Sequence, residues 1–271
     1  RTMARWITDG TPDLDLHGCD LARFTTPQLS ADYVGDTSAQ AFVEVYDIIH
    51  PRDQRSVQRG LATSPFHARH VDAGAVFHTG REWERPAWFE SNAGMVDSDV
   101  TYPHDGWAGR NWSPIVPAEA LATRRRVGLY DMTSLMRIEV TGADATNFLD
   151  RMLTRTVRRP IGTVIYALLL DESGGVRSDV TVARLGENTF RLVGGDPYDG
   201  AWLRSQADRL GLSQVWIKDS TDHLHNLAVQ GPLSRDLLAE LIWTPPTQPA
   251  LPELGWFRFL IGRLGGPDGV P

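Results

Sequence analysis

The chain has 271 residues, a formal net charge of −7 and an apolar fraction of 41%, which leaves room for one large domain or two modest ones. Its densest basic cluster is Arg124–Gly128, so we expect no nucleic-acid partner, and no apolar run approaches the roughly 20 residues of a membrane span. Cys19 is the one cysteine. It excludes an internal disulfide and, without a secretory signal at the start, predicts a reducing, cytoplasmic location.

The two ends of the sequence lack the features of natural termini. The chain opens on "RTMARWITDG" without a start methionine and closes on the turn residues "GRLGGPDGVP". We therefore expect a part of a longer polypeptide, or only its ordered part.

The first 63 residues predict one helix. In "SAQAFVEVYDIIHPRDQRS", the apolar residues Phe42, Val45, Tyr46 and Ile49 follow helical spacing and predict a helix that ends before Pro51. The preceding "GTPDLDLHGCDLARF" has no steady period and predicts an irregular connector.

Residues 65–115 are rich in Trp, Pro and Gly, and little regular structure is expected there. Long loops with aromatic residues are often functional. The alternative is that these tryptophans only fill a core.

From Pro117 onward the pattern becomes regular. Helix and strand periodicities alternate in the order β-α-β-β-β-α-β-β-α, and Asp196 is the expected N-cap of the helix in "DPYDGAWLRSQADRLGL". Because this order contains hairpins, it predicts an α+β fold with a mostly antiparallel sheet and flanking helices.

One hairpin places polar groups together. If "YALLLDESGGVRSDVTV" folds at the centre of its Glu-Ser-Gly-Gly turn, Leu168 pairs with Asp179 and Tyr166 with Thr181. Because strand side chains alternate, all four then share one face of the sheet. A partly desolvated carboxylate, a phenol and a hydroxyl on an apolar floor suit a flat, partly polar ligand. An ordinary solvated sheet face is the alternative.

Other motifs are absent or weak. The sequence has no dinucleotide fingerprint, P-loop or nucleophile elbow. The histidine pairs His67–His70 and His223–His225 lack matching Cys or carboxylate clusters, so no metal site is expected. Gly194–Gly195 could approach an anion, although the acidic residues that follow favour a capped helix instead.

Several blocks in order carry a family resemblance. "SPFHARHVDAGAVFHTGREWERPAWF", "RRRVGLYDMTSLMRIEVTGADATNFLDRMLT", "YALLLDESGGVRSDVTV", "LAVQGP" and "LGWFRFLIGRLGGPDGVP" together resemble the glycine cleavage system T-protein (aminomethyltransferase) family. They are most similar to the folate-binding half of dimethylglycine and sarcosine dehydrogenases and oxidases. Residues 64–271 resemble the T-protein folate-binding domain, and residues 1–63 resemble the linking segment after a flavin domain.

The resemblance implies tetrahydrofolate-dependent transfer of a one-carbon unit. Asp179 takes the place of the family's catalytic aspartate, Tyr166 that of a tyrosine lining the folate pocket, and Leu135 and Thr181 fall at positions that touch the pterin. The implied partners are a small-molecule amine donor and either a lipoyl carrier protein or a flavin-bearing domain or subunit. FAD is implied only if such a flavin domain is present.

The chain departs from the family in two places. The Arg-Thr-Gly-Tyr-Thr-Gly-Glu block and the closing β-barrel are absent, so the fold is expected to be truncated at its C-terminus. Only Asp179 is acidic where the family often has two adjacent acids. Two other functions therefore stay open: a non-catalytic folate-binding or scaffolding domain, and a piece of a flavin-dependent amine oxidoreductase whose redox chemistry lies outside this chain.

Overall fold

The computed structural model describes residues 1–10, 13, 24–80, 82–97 and 106–270. Cys19 and most of the expected connector before residue 24 lie outside these ranges. The α-helices of the described residues are α1 Thr2–Asp9, α2 Ala31–Glu44, α3 His67–Asp72, α4 Ile115–Arg125, α5 Ala145–Met152, α6 Asp199–Arg209 and α7 Ser234–Leu241.

The strands of the described ranges form four sheets. They are β1 Ala75–Gly80, β2 Trp83–Phe89, β3 Gly128–Asp131, β4 Arg137–Thr141, β5 Val164–Leu170, β6 Val176–Gly186, β7 Thr189–Gly194, β8 Trp216–Asp219, β9 Leu227–Gln230, β10 Ile242–Trp243 and β11 Arg263–Leu264. A five-stranded sheet has the order β5-β6-β7-β4-β8, and the pairs β1-β2, β3-β9 and β10-β11 form two-stranded sheets.

The chain divides into two compact units. The first comprises Arg1–Thr63, Phe77–Arg85 and Tyr102–Trp112, and the second comprises Ser64–Val76, Pro86–Thr101 and Ser113–Pro271.

The five-stranded sheet confirms the predicted α+β fold. All its strand pairs are antiparallel, and its strands and helices follow the predicted order from β4 to α7. Helices α5 and α6 contribute to the core on one face of this sheet, because each presents an apolar stripe. The largest fully buried apolar side chains are Phe148, Phe190, Ile138, Leu149, Leu169, Leu192, Leu203, Val140, Val157 and Val182. The opposite face of β5 and β6 is therefore the one left for a site.

Within the first unit, the predicted helix is present but differs from the expectation. Helix α2 begins after Ser30, whose Oγ accepts the backbone N–H of Tyr33 at 3.2 Å, and it ends at Glu44. The N–H of Asp47 bonds to the carbonyl of Glu44, a tight turn that stops the α-helical hydrogen bonding. The apolar side chains that gave the helical spacing are exposed, since Phe42 is 79% exposed.

The expectation of little regular structure in residues 65–115 is wrong in part. Helix α3 and the strands β1 and β2 lie in that region. Strand β1, "AVFHTG", is rich in the β-branched and aromatic residues that favour strands. Strand β2 contains Pro86, and a proline in the sequence argues against a strand. It is tolerated here because a two-stranded sheet has only edge strands.

Candidate functional site

The β5–β6 pairing decides which side chains meet. Tyr166 pairs with Thr181 and Leu168 with Asp179, so the predicted register is confirmed. The residues between them on each strand, such as Ala167, are buried on the core face. The four paired side chains therefore lie on the opposite face of the sheet, as the alternation of strand side chains requires.

Tyr166 and Asp179 contact each other on that face. The phenol of Tyr166 donates a hydrogen bond to Oδ2 of Asp179 over 3.3 Å, which is longer than the usual O–H···O distance. The negative charge of Asp179 raises the pKa of Tyr166 above its ordinary value, and desolvation and the hydrogen bond add to this effect. The phenol therefore stays protonated at neutral pH and offers a donor.

A cavity of about 550 Å³ opens beside this pair, which is a size typical of small-molecule sites. Its lining residues are Leu135, Tyr166, Arg177, Ser178, Asp179, Val180, Thr181, Val193, Gly194, Gly195 and Asp196. The four site residues that the family resemblance implied, Leu135, Tyr166, Asp179 and Thr181, are among them. Tyr166 is 44% exposed and Asp179 is also exposed, so the cavity is open to solvent and the carboxylate is less desolvated than expected.

The double glycine after β7 forms one wall. Gly194 and Gly195 have φ values of 98° and 84°, a region that favours glycine. A β-carbon at Gly195 would lie 2.5 Å from Oδ2 of Asp199.

The expected N-cap of α6 is wrong. The helix begins at Asp199, and Oδ1 of Asp196 instead accepts the N–H of Tyr198. The reason is that the buried carboxylate of Asp199 takes the N–H of Asp196, which turns the chain once more before the helix begins.

Leu135 is held at the cavity by a buried arginine. Arg137, which is 2% exposed, donates to the carbonyl oxygens of Leu135, Thr133 and Thr221 at 2.7, 2.8 and 2.5 Å. Burial lowers the pKa of Arg137, although an arginine remains charged at neutral pH. These bonds fix the backbone that presents Leu135.

Thr181 is positioned by its neighbour on β7. Its hydroxyl donates to the carbonyl of Val193 over 3.3 Å, and both residues line the cavity. This bond sets the orientation of the hydroxyl, and its oxygen can still accept a hydrogen bond from a ligand.

Sequence reasoning missed Arg177 and gave no site role to the residues from Val193 to Asp196. Arg177 lies at the irregular pairing between Leu169 and Leu170, and the strand pattern in the sequence does not indicate such a bulge. For the loop after β7 a signal was available, since a double glycine permits close approach of a ligand to the backbone.

The histidine pairs lie elsewhere. His70 Nε2 is 3.7 Å from Oδ2 of Asp131, and burial lowers the pKa of His70. The ring of His225 contacts that of Phe66 at 5.8 Å. Among the described residues, no group of three or more His, Cys, Asp or Glu side chains could hold a metal ion.

None of the helices in the described part of the chain combines the length and the apolar character that a span requires.

Comparison with known proteins identifies the family. Residues 66–263 match the family described as the GCVT N-terminal domain. The chain belongs to that family. Residues 9–64 match the family described as the FAD dependent oxidoreductase central domain.

Characterised relatives are much longer than this chain. It is 42% identical over 167 residues to a trimethylamine-oxide aldolase of Ruegeria pomeroyi, covering 61% of this chain and 21% of that protein. It is 26% identical over 290 residues to human mitochondrial sarcosine dehydrogenase, covering 92% of this chain and 31% of that protein. The chain therefore spans about a fifth to a third of these relatives.

A solved structure supports the fold. The glycine cleavage system aminomethyltransferase T of Bartonella henselae matches with a TM-score of 0.55 and 26% identity, over 73% of this chain and 46% of that chain. The predicted T-protein fold is thereby confirmed.

Proposed function

We propose that this chain supplies the folate-binding part of an enzyme that transfers a one-carbon unit from an N-methyl or aminomethyl amine to tetrahydrofolate. The observation that carries the proposal is the contact between Tyr166 and Asp179 at the wall of a 550 Å³ cavity in a member of the GCVT family. The names of its relatives, an aminomethyltransferase and a sarcosine dehydrogenase, indicate the same substrate class.

The lining residues fit a pterin. Leu135 and Tyr166 supply an apolar and an aromatic surface, and Asp179 and Thr181 supply polar groups that can orient a heterocycle. Tetrahydrofolate, when bound, supplies the nucleophilic nitrogen that takes up the one-carbon unit. The proposed cofactor-binding residues are Tyr166, Leu135 and Thr181.

Asp179 is the proposed catalytic residue. The transfer passes through a cationic carbon–nitrogen group on the donor, and a carboxylate fixed beside that group stabilises its charge. The same carboxylate can hold a proton during the transfer. Tyr166 donates to Asp179 and thereby keeps the carboxylate oriented toward the cavity.

A flavin-bearing region is the proposed partner. The match of residues 9–64 to an FAD dependent oxidoreductase central domain favours oxidation of the donor by FAD outside this chain. The same match disfavours a lipoyl carrier as donor, because a carrier-bound aminomethyl group needs no flavin.

Binding of 5-formyltetrahydrofolate to the protein tests the cofactor. We expect saturable binding that quenches tryptophan fluorescence and that is weakened by Leu135→Ala, which removes part of the apolar wall. Asp208→Ala, an exposed change on α6, is the matched control and should bind as the unmutated protein does. No binding by the unmutated protein would refute the folate site.

Turnover in the full-length natural protein separates catalysis from binding alone. Asp179→Asn keeps the shape of the side chain and removes its charge. We expect it to lower kcat by about 10²–10³-fold, the magnitude typical of losing one preorganised electrostatic group, while Asp208→Asn leaves kcat unchanged. Folate binding without any turnover in the unmutated protein would favour the non-catalytic binding domain instead.

A further inference from the structure

We propose that Arg177 binds a carboxylate group of the ligand in the cavity lined by Tyr166 and Asp179. This inference rests on the proposed function, and it adds a recognition residue that neither the sequence nor the family comparison assigned. Of the described residues that line the cavity, Arg177 is the only cation.

A β-bulge places Arg177 beside the cavity. Leu169 pairs with Ser178 and Leu170 with Val176, so Arg177 lies between them without a partner on β5. A bulge of this kind leaves one residue outside the ladder and changes the direction of its side chain. The bulge lies one residue before Ser178, and thus at the end of the cavity next to Asp179.

The guanidinium of Arg177 is held in place but lacks acceptors. Its central carbon lies 5.0 Å from the ring centre of Trp202, a cation–π contact that restrains the position of the group. Its Nε is buried without a hydrogen-bond partner. Within the described residues, its side chain forms no hydrogen bond or ion pair with a carboxylate.

The neighbouring carboxylates accept hydrogen bonds from other groups. A hydrogen bond from the side chain of Ser173 lowers the pKa of Asp171 most, and the charge of Arg177 helps to lower it. However, Oδ1 of Asp171 accepts the N–H groups of Ser173 and Gly175.

Asp179 accepts the phenol of Tyr166, and Asp196 accepts the N–H of Tyr198. A planar guanidinium beside a cavity, with donors that the described chain does not satisfy, is a typical binding group for a carboxylate, which it can bind through two hydrogen bonds.

The order of charges selects the ligand. Arg177 and Asp179 line the same cavity from positions two residues apart on β6. A bound ligand therefore needs an anionic end near Arg177 and a neutral or cationic end near Asp179. A folate with its glutamate tail has this polarity, and so does an N-methyl amino acid with its own carboxylate.

Two pairs of ligands distinguish whether Arg177 binds the carboxylate of folate or that of the amine donor. In the first pair, 5-formyltetrahydrofolate is compared with 5-formyltetrahydropteroate, which lacks the glutamate. In the second, N-methylglycine is compared with dimethylamine, which lacks the carboxylate. Each is titrated into the full-length protein and into Arg177→Gln, with Arg125→Gln, an exposed change on α4, as the control of equal charge.

We expect Arg177→Gln to lower the affinity for the carboxylate-bearing member of one pair by about tenfold or more. The affinity for the member without that carboxylate should not change. The unchanged member also demonstrates that the variant is folded. Arg177→Lys should fall between the two, because an ammonium cannot form the paired hydrogen bonds. A loss in the first pair identifies the folate tail, and a loss in the second identifies the amine donor.

Equal affinities of Arg177→Gln and Arg125→Gln for all four ligands would overturn the inference. A failure of the unmutated protein to bind either folate would instead overturn the proposed function. The N-methylglycine pair would then still decide the role of Arg177.

Discussion

Asp199 and Asp196 are joined beneath the double glycine: the buried carboxylate of Asp199 accepts the backbone N–H of Asp196 at 2.8 Å. Asp199 is 1% exposed, and its oxygen occupies the space that a side chain at Gly195 would need. The cavity wall and the start of α6 are therefore built around one hydrogen bond, and both depend on glycine at this position.

Gly195→Ala should destabilise the protein. The new β-carbon combines an unfavourable positive φ with a 2.5 Å approach to Asp199, and we expect a loss of about 2–4 kcal/mol in the free energy of unfolding. Gly211→Ala is the matched control, since Gly211 has a φ of 67° and open space around it, and should lose only about 1–2 kcal/mol. Urea unfolding of both variants measures the difference. Equal losses would contradict the steric argument.

The Tyr166 phenol should titrate differently when its neighbour is neutral. The charge of Asp179 raises the pKa of Tyr166, so Asp179→Asn should lower that pKa toward the ordinary value of about 10. The near-ultraviolet absorbance of tyrosinate during a pH titration measures it, with Tyr166→Phe subtracted to isolate the signal. An unchanged pKa would show that the two groups do not interact in solution.

The raised pKa of Tyr166 also makes the stability of the protein depend on alkaline pH. Because the pKa of Tyr166 is raised in the folded protein, the folded state keeps this proton at pH values where the unfolded chain loses it. The contribution is present below about pH 10 and is lost as the pH rises through the raised pKa. In Asp179→Asn the pKa of Tyr166 lies closer to its unfolded value. The stability that depends on this proton should therefore be lost over a narrower range of alkaline pH.

The register of the β5–β6 hairpin could be predicted because the glycine-rich turn indicates where the chain reverses. With the turn centred there, apolar residues of both strands share the core face, whereas a shift by one residue would have put Asp179 in the core. Leu135, by contrast, was proposed only through the resemblance. Its position depends on hydrogen bonds from Arg137, one of which reaches Thr221, a residue distant in sequence, and no local pattern records that contact.

Two features could not be predicted because they depend on tertiary structure that residue spacing does not report. Spacing identified an apolar stripe around Phe42, but spacing does not say whether a partner surface exists, and in the described residues the stripe is exposed. Arg177 was missed because its place depends on a bulge, which changes the pairing by one residue without any change in the strand pattern.

Arg137→Met should destabilise the protein and loosen Leu135. The change removes donors from three carbonyl oxygens, and buried acceptors without partners make the loss about 2–4 kcal/mol. Arg137→Lys should be intermediate, because one ammonium cannot reach all three. Arg125→Met is the control and should stay within about 0.5 kcal/mol of the unmutated protein. A stable Arg137→Met variant with normal affinity for 5-formyltetrahydrofolate would refute the positioning role.

An ion pair within the first unit makes its stability depend on acidic pH. Arg59 donates to both oxygens of Glu84 at 2.6 and 2.5 Å, and the N–H of Gly60 and the hydroxyl of Thr79 also bond to Oε1 of Glu84. The hydrogen bonds from Arg59 lower the pKa of Glu84 most, and that from Gly60 lowers it further against the opposing effect of burial.

Glu84→Gln should therefore cost about 2–4 kcal/mol in the free energy of unfolding at neutral pH, because it leaves Arg59 without its counter-charge. A lowered pKa stabilises the fold above the unfolded value of about 4.3, and this stabilisation is lost as the pH falls through the folded value. The difference between the unmutated protein and Glu84→Gln should accordingly shrink between about pH 7 and pH 3. Glu187→Gln, an exposed change, should show no such trend, and a difference for Glu84→Gln that stays constant with pH would exclude the ion pair as its cause.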